Sequence, residues 1–198
     1  MIETELLSAA LQGAAPSAHA ALAQELGALF ARHALPRGAP VLRQGEVWNA
    51  ALLIESGLVR MHFLRRDGKE FNKNFFAEGA LVCPLTPAMM SGRSLFGISC
   101  IEPTQLWRCD ATVFRELLQR RDAWAPLQTA LMTRLLDGKL QREHELLALD
   151  GRHRYAAFCA RFPSLAARVP LMHLATYLGM TDVSLSRLRR RASAPGCG

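Results

Sequence analysis

Arg187, Arg189, Arg190 and Arg191 fall within five residues near the C-terminus, and Thr181, Asp182, Val183, Ser184 and Ser186 lie just before them. A guanidinium is a planar, permanently charged fork of donors that matches phosphate oxygens and the N7/O6 edge of guanine. Hydroxyls and backbone N–H groups at the start of a helix hold phosphates. The chemistry this set could perform is recognition of a polyanion. Without a scaffold the same arginines would be only a solvated chain end, so the surrounding elements decide.

The stretch Leu171–Arg191 reads as two short helices joined by a tight turn. Leu174, Ala175 and Leu178 line one face of the first helix. Gly179 stands where a helix ends on a left-handed residue, and Met180 continues the turn. Thr181 can cap the second helix, with Asp182 in its first turn at the positive end of the dipole. Leu185 and Leu188 then point inward, while Asp182, Val183, Ser186, Arg187 and Arg190 share the opposite face. Small residues at 175 and 179 suit two helices whose backbones approach closely. This is a helix-turn-helix pattern, whose second helix enters the major groove of DNA.

Charge supports the same partner. Residues 1–149 hold 16 Lys and Arg against 15 Asp and Glu, whereas residues 150–198 hold eight Arg against Asp150 and Asp182. Nearly all of the net charge of +7 therefore sits on the last quarter of the chain, as expected of a segment facing a polyanion. No apolar run approaches the roughly 20 residues of a membrane span. The acidic start, Met1-Ile-Glu-Thr-Glu5, lacks the basic region of a secretory signal, so a cytoplasmic protein with no membrane partner is expected. Cys83, Cys100, Cys109, Cys159 and Cys197 are an odd, scattered set without a C-x-x-C pair, and the six histidines include no i, i+4 pair. No disulfide framework, metal site or iron-sulfur cluster is expected, and most cysteines should be small buried hydrophobes.

Helices are predicted at Glu3–Gln12 and Ser17–His33, separated by the break Gly13-Ala-Ala-Pro16. The second would bury Leu22, Leu26, Leu29 and Phe30, and Leu35–Gly38 would end it. From Ala39 to Asp110 the periodicity changes to two. Val59, Met61 and Phe63 alternate with Arg60, His62 and Leu64, Arg65-Arg-Asp-Gly68 makes a hairpin turn, and Lys69–Phe76 returns. Further strands at Ala80–Cys83, Phe96–Ile101 and Gln105–Cys109, around a loop at Pro84–Ser94, indicate a β-roll, jelly roll or small barrel. Helix resumes at Ala111, with Phe114, Leu117 and Leu118 on one face. The longest helix, Asp122–Leu149, carries one stripe through Trp124, Leu131, Leu135, Gly138, Arg142, Glu145 and Leu149, and a second through Met132, Leu136 and Leu140. Two stripes imply two buried faces, one on the roll and one on a second copy of the helix, with Gly138 at a close approach. Asp150 caps a helix at Arg152–Phe162 that buries Tyr155, Ala156, Phe158 and Cys159. The expected units are residues 1–121 (helices and sensor roll), 122–149 (dimerisation helix) and 150–198 (DNA-binding).

In order and spacing these elements resemble the Crp/Fnr family of bacterial transcription regulators over about residues 20–191. The resemblance is carried by Leu42-Arg-Gln-Gly-Glu46, Leu52-Leu-Ile-Glu-Ser-Gly-Leu-Val-Arg-Met-His-Phe63, Asp67-Gly-Lys-Glu70, Leu149-Asp-Gly-Arg-His-Arg-Tyr-Ala-Ala-Phe158 and Arg161-Phe-Pro163. It implies an α+β chain: a β-roll like the cyclic-nucleotide-binding jelly roll with flanking helices, a long dimerisation helix, and a C-terminal helix-turn-helix. It further implies a homodimer on double-stranded DNA with two-fold half-sites, and RNA polymerase as a partner. Arg187 is then the base-edge reader, and Arg189, Arg190 and Arg191 hold phosphates together with Thr181 and Ser184. Family members often carry Glu at the position of Val183, which here can at most touch a thymine methyl. Many also follow the reading helix with a β-hairpin wing, which Ala192–Gly198 are too short to supply.

Relatives that bind cyclic AMP carry a Gly-Glu pair followed by Arg-Ser. Ala80–Pro87 has no Gly-Glu pair, although Arg93-Ser94 matches the later part, so cyclic AMP is not the expected effector. Either an effector of another kind sits between roll and long helix, near Phe71, Lys73, Phe75 and Leu131–Leu135, or the protein has no effector. The competing reading is a ligand-binding signalling module, for a cyclic nucleotide or another small molecule, without DNA binding. No nucleophile elbow, phosphate loop, paired metal ligands or close acid pair is present, which argues against an enzyme.

Overall fold

The computed structural model describes Ile2, residues 4–11 and residues 19–193, with side chains at all of these except residues 4, 19, 20 and 191–193. The helices are α1 (Thr4–Ala10), α2 (His19–Gly27), α3 (Pro87–Ser91), α4 (Ala111–Arg120), α5 (Trp124–Ala148), α6 (Gly151–Arg161), α7 (Pro163–Arg168), α8 (Leu171–Tyr177) and α9 (Asp182–Ser193). The strands are β1 (Ala31–Leu35), β2 (Pro40–Leu42), β3 (Ala50–Ser56), β4 (Val59–Leu64), β5 (Glu70–Phe76), β6 (Leu81–Val82), β7 (Gly97–Cys100) and β8 (Thr104–Asp110). The break expected at residues 13–16, Cys197 and most of Ala192–Gly198 lie outside the described residues.

The strands form two antiparallel sheets, ordered β1-β8-β3-β6 and β2-β7-β4-β5. Leu52, Ile54, Val59, Met61, Ile98 and Leu106 pack together as a buried cluster of the roll. The run Ala50–Ile54 is buried throughout because β3 is covered on both faces. Ala50, Leu52 and Ile54 join that cluster, while Ala51 and Leu53 pack in another with Leu7, Leu26, Phe114, Trp124 and Leu127 of the helices. A strand buried on both sides reads as a continuous apolar run rather than an alternation. The hairpin at Arg65–Gly68 forms as expected: the Arg65 N–H donates to the Lys69 carbonyl at 2.9 Å, and Gly68 adopts φ +80°.

The region before Pro36 departs from its periodicity. The predicted helix through His33 stops at Gly27, and Ala31–Leu35 instead pair with Arg108–Thr104 as β1. These are acceptable helix formers, and the ladder offered by β8 outweighs their preference. Leu29 is consequently exposed rather than part of a buried face. In α6, Phe158 is buried, Tyr155 and Cys159 are half-buried, and Ala156 faces solvent.

α5 runs 25 residues and carries the two expected stripes to different fates. On the first stripe Trp124 and Glu145 are buried and Leu131 and Leu135 half-buried, whereas Met132, Leu136 and Leu140 of the second are exposed, as is Leu147, which lies on neither predicted stripe. Among the described residues, no other element approaches within 4 Å of a Cβ built at Gly138, so the close approach expected there is not made by this chain's described residues. Among the described residues no helix is long and apolar enough to cross a membrane.

Candidate nucleic-acid interface and its control surfaces

Local chemistry builds the helix-turn-helix. Gly179 takes φ +67°, a conformation that favours glycine, and a Cβ there would also lie 3.0 Å from Leu146 Cδ2 of α5, a tight contact that the leucine would have to yield to. The Met180 N–H closes the turn on the Ala175 carbonyl at 3.0 Å. Thr181 Oγ1 accepts from the Ser184 N–H at 3.2 Å, capping α9. Leu174, Ala175, Leu178 and Leu185 are buried together with Phe158 and Tyr177.

This packing presents one face of α9 outward. Thr181, Asp182, Val183, Ser184, Arg187 and Arg190 are exposed, and Ser186 is half-buried. The Asp182 carboxylate accepts from the Val183 N–H at 2.8 Å, so it is spent on the helix start. Arg189 is half-buried beside Tyr155 of α6 and does not stand on the open face with Arg187 and Arg190. The side chain of Arg191 lies outside the described residues.

The sequence did not signal how α8 is held. It lies across β5, where Asn72 is only 2% exposed. The Asn72 amide donates to Thr176 Oγ1 at 2.7 Å and to the His173 carbonyl at 3.2 Å. Arg60 of β4, also buried, donates to His173 Nδ1 at 3.3 Å and pairs with Glu70 at 2.6 Å. Burial, with the Arg60 charge second, holds the His173 imidazole down at about 4. On strand alternation alone Arg60 and Asn72 would face water; the helical region covers them instead.

Two further clamps join the parts. Arg168 of α7 reaches Glu78 at 2.8 Å and Glu102 at 2.6 Å. Its hydrogen bonds hold the Glu78 carboxyl at about 2, well below its ordinary range. From α5, Arg142 donates to the Tyr177 carbonyl at 2.9 Å and lies 4.6 Å from that ring's centroid. Glu145, fully buried on α5, pairs with Arg161 at 2.7 Å. Arg142 and Glu145 lie on the predicted stripe, so position was legible there while the polar role was not.

Between the roll, α1 and α5 lies a cavity of about 300 Å³. Of the residues proposed for an effector, Lys73, Leu131 and Leu135 line it, and Arg93 and Ser94 do not. Arg93 donates to the Gly45 carbonyl at 3.0 Å and Ser94 to the Phe96 carbonyl at 2.8 Å, so both are spent on loop structure. Phe75 packs against Phe158 and Tyr177, and Phe71 lies near Arg65 at the surface; neither lines the cavity. Cys83, Cys100 and Cys109 are buried, and burial pushes the Cys83 thiol up to about 12, consistent with inert packing.

The structure thus combines a β-roll with a cavity of about 300 Å³, a long helix with an exposed apolar stripe, and a docked helix-turn-helix. Residues 32–121 match the cyclic nucleotide-binding domain family. Over most of its length the chain has the fold of solved Crp/Fnr-type regulators. It is similar to FixK2 from Bradyrhizobium japonicum (16% identity, 82% of this chain and 83% of that one, TM-score 0.73). It is similar also to CLP from Xanthomonas campestris, a c-di-GMP-responsive global regulator (18% identity, 90% and 96% covered, TM-score 0.71). The sensor domain of the transcriptional regulator DNR from Pseudomonas aeruginosa shares 26% identity over 74% of this chain and 95% of that one, with a TM-score of 0.56. No curated protein sequence matches the chain.

Proposed function

We propose that the chain is a homodimeric, sequence-specific DNA-binding transcription regulator acting in the cytoplasm, controlled by a small effector other than cyclic AMP. One observation carries the reading. α9 is packed by Leu185 against a helix-turn-helix core while Arg187 and Arg190 remain open to a groove. Such a helix places its N-terminal residues on base edges and its flanking cations on phosphates.

Residues 1–121 would sense, 122–149 pair and 150–198 read. The exposed stripe Met132, Leu136, Leu140 and Leu147 on α5 supports pairing, because four large apolar side chains at helical spacing suit a matching helix better than water. Two reading helices would then enter successive major grooves about 34 Å apart. RNA polymerase is the further partner that this role entails. The function is binding rather than catalysis.

The test is a gel-shift titration against a randomised duplex pool at several salt concentrations. The regulator reading expects selection of a two-fold site and affinity falling steeply with salt. Absence of DNA binding under every condition overturns it in favour of a signalling module.

A further inference from the structure

Lys73 stands at the edge of the cavity with an unusual set of neighbours. Its ammonium lies 3.5 Å from Met61 Sδ and 5.5 Å from the centroid of the Phe96 ring. Both are weak partners for a cation. Lys73 forms no ion pair with a carboxylate among the described residues, and Lys139 and Arg142 add repulsion. Burial first, and these two cations next, make the charged form costly and lower its pKa. A half-buried ammonium so placed is stabilised by an anion.

Most of the remaining lining is apolar, with Val82, Phe96, Leu131 and Leu135 among it; Asn74 and a second cation, Arg134, line it as well, and no Asp or Glu does so among the described residues. A ribose would therefore find no carboxylate to accept from its hydroxyls. Arg93, the arginine that the sequence offered for a cyclic phosphate, is held on a loop carbonyl outside the cavity. Trp48 also lines the space; it is 4% exposed, and its Nε1–H has no acceptor. An unpaired buried donor is costly, so a polar atom of a bound ligand would be favoured there.

We propose that this cavity binds a small apolar monocarboxylate, its hydrocarbon part against Val82, Phe96, Leu131 and Leu135 and its carboxylate on Lys73. This rests on the reading of the chain as an effector-controlled regulator and names the effector's chemical class. The hydrocarbon would bridge β6 and Phe96, just before β7, to α5, placing the ligand against the helix that carries the exposed apolar stripe. The volume, at the lower end of the usual ligand-pocket range of roughly 300–1,000 Å³, suits a molecule smaller than a nucleotide.

The experiment uses the full chain with octanoate as probe, and 1-octanol and cyclic AMP as comparisons. Binding is read by thermal shift and tryptophan fluorescence, with DNA absent. Octanoate is expected to bind saturably and to raise the melting temperature more than 1-octanol does, cyclic AMP having no effect. Lys73→Met should weaken octanoate by at least about tenfold while leaving 1-octanol within about twofold. Leu131→Trp, which fills the cavity from α5, should abolish both and serves if Lys73→Met does not fold. Equal binding of octanoate and 1-octanol, octanoate affinity unchanged in Lys73→Met or in Leu131→Trp, or no saturable octanoate binding overturns the proposal. DNA binding is measured separately on the same preparation, so loss of the effector site and loss of the regulator reading are distinct outcomes.

Discussion

Arg168 grips Glu78 through two nitrogens, each 2.8 Å from a carboxylate oxygen, and so ties α7 to the turn after β5. Glu78 Oε1 also accepts from the Gly57 N–H at 2.9 Å, which helps fix the carboxylate's position. A planar fork on a prepositioned carboxylate loses little side-chain freedom on pairing.

The Glu78 carboxyl, lowered from 4.5 to about 2, binds a proton more readily in the unfolded chain than in the folded one. Its contribution is therefore present above about pH 4.5 and lost as pH falls toward 2. The pair is partly exposed, so a double-mutant cycle of Glu78→Gln and Arg168→Gln should give a coupling of only about 1 kcal/mol near neutrality. Denaturant melts at several pH values should show the gap between wild type and Glu78→Gln closing below about pH 4.5. A gap independent of pH contradicts this.

His173 has the same sign for a different reason. Burial and Arg60 lower its pKa from 6.5 to about 4, so below pH 6.5 the unfolded chain takes up a proton that the folded chain refuses. Stability from this residue is present above 6.5 and lost as pH falls toward 4. His173→Gln should flatten the stability curve across that window, and NMR titration of the imidazole should find it neutral at pH 6. An imidazole titrating near 6.5 would show that α8 is not held on β5 in solution.

Reading of DNA should divide between two arginines. Arg187→Ala is expected to cost about 1–3 kcal/mol and relax one base position, while Arg190→Ala weakens all sequences alike and lowers the salt slope by about 1. Site selection with each variant separates the roles. An unchanged preference in Arg187→Ala removes that residue from the reading set.

Pairing through α5 should fail when Leu136 and Leu140 are both replaced by Glu, since two buried charges would face each other in the dimer. Sedimentation should show a dissociation constant raised by about a hundredfold or more. A wild-type chain that remains monomeric at high concentration would refute the pairing.

The turn of the helix-turn-helix tests local design. Gly179→Ala places a side chain at φ +67° and 3.0 Å from Leu146, and should destabilise by more than about 1 kcal/mol. Circular dichroism melts check this; a neutral result would mean that the turn and α5 relax together.

What the sequence determined by itself was local. Gly179, Thr181, Leu174 and Leu185 specify the helix-turn-helix because a left-handed glycine, a hydroxyl cap and helical spacing all act within a few residues. The hairpin at Arg65–Gly68 and the length of α5 were legible for the same reason. Tertiary structure alone decided that Ala31–Leu35 is a strand, since its partner β8 begins 69 residues beyond its end. It also decided that Arg60 and Asn72 are buried, because the side chains covering them stand 113 and 104 residues away. Lys73 and Trp48 became one site only when β5, α5 and the loop before β3 closed on the same cavity. Periodicity records which face of an element is apolar. What covers that face is set by long-range packing, and there Lys73, rather than the Arg93-Ser94 pair, met the cavity.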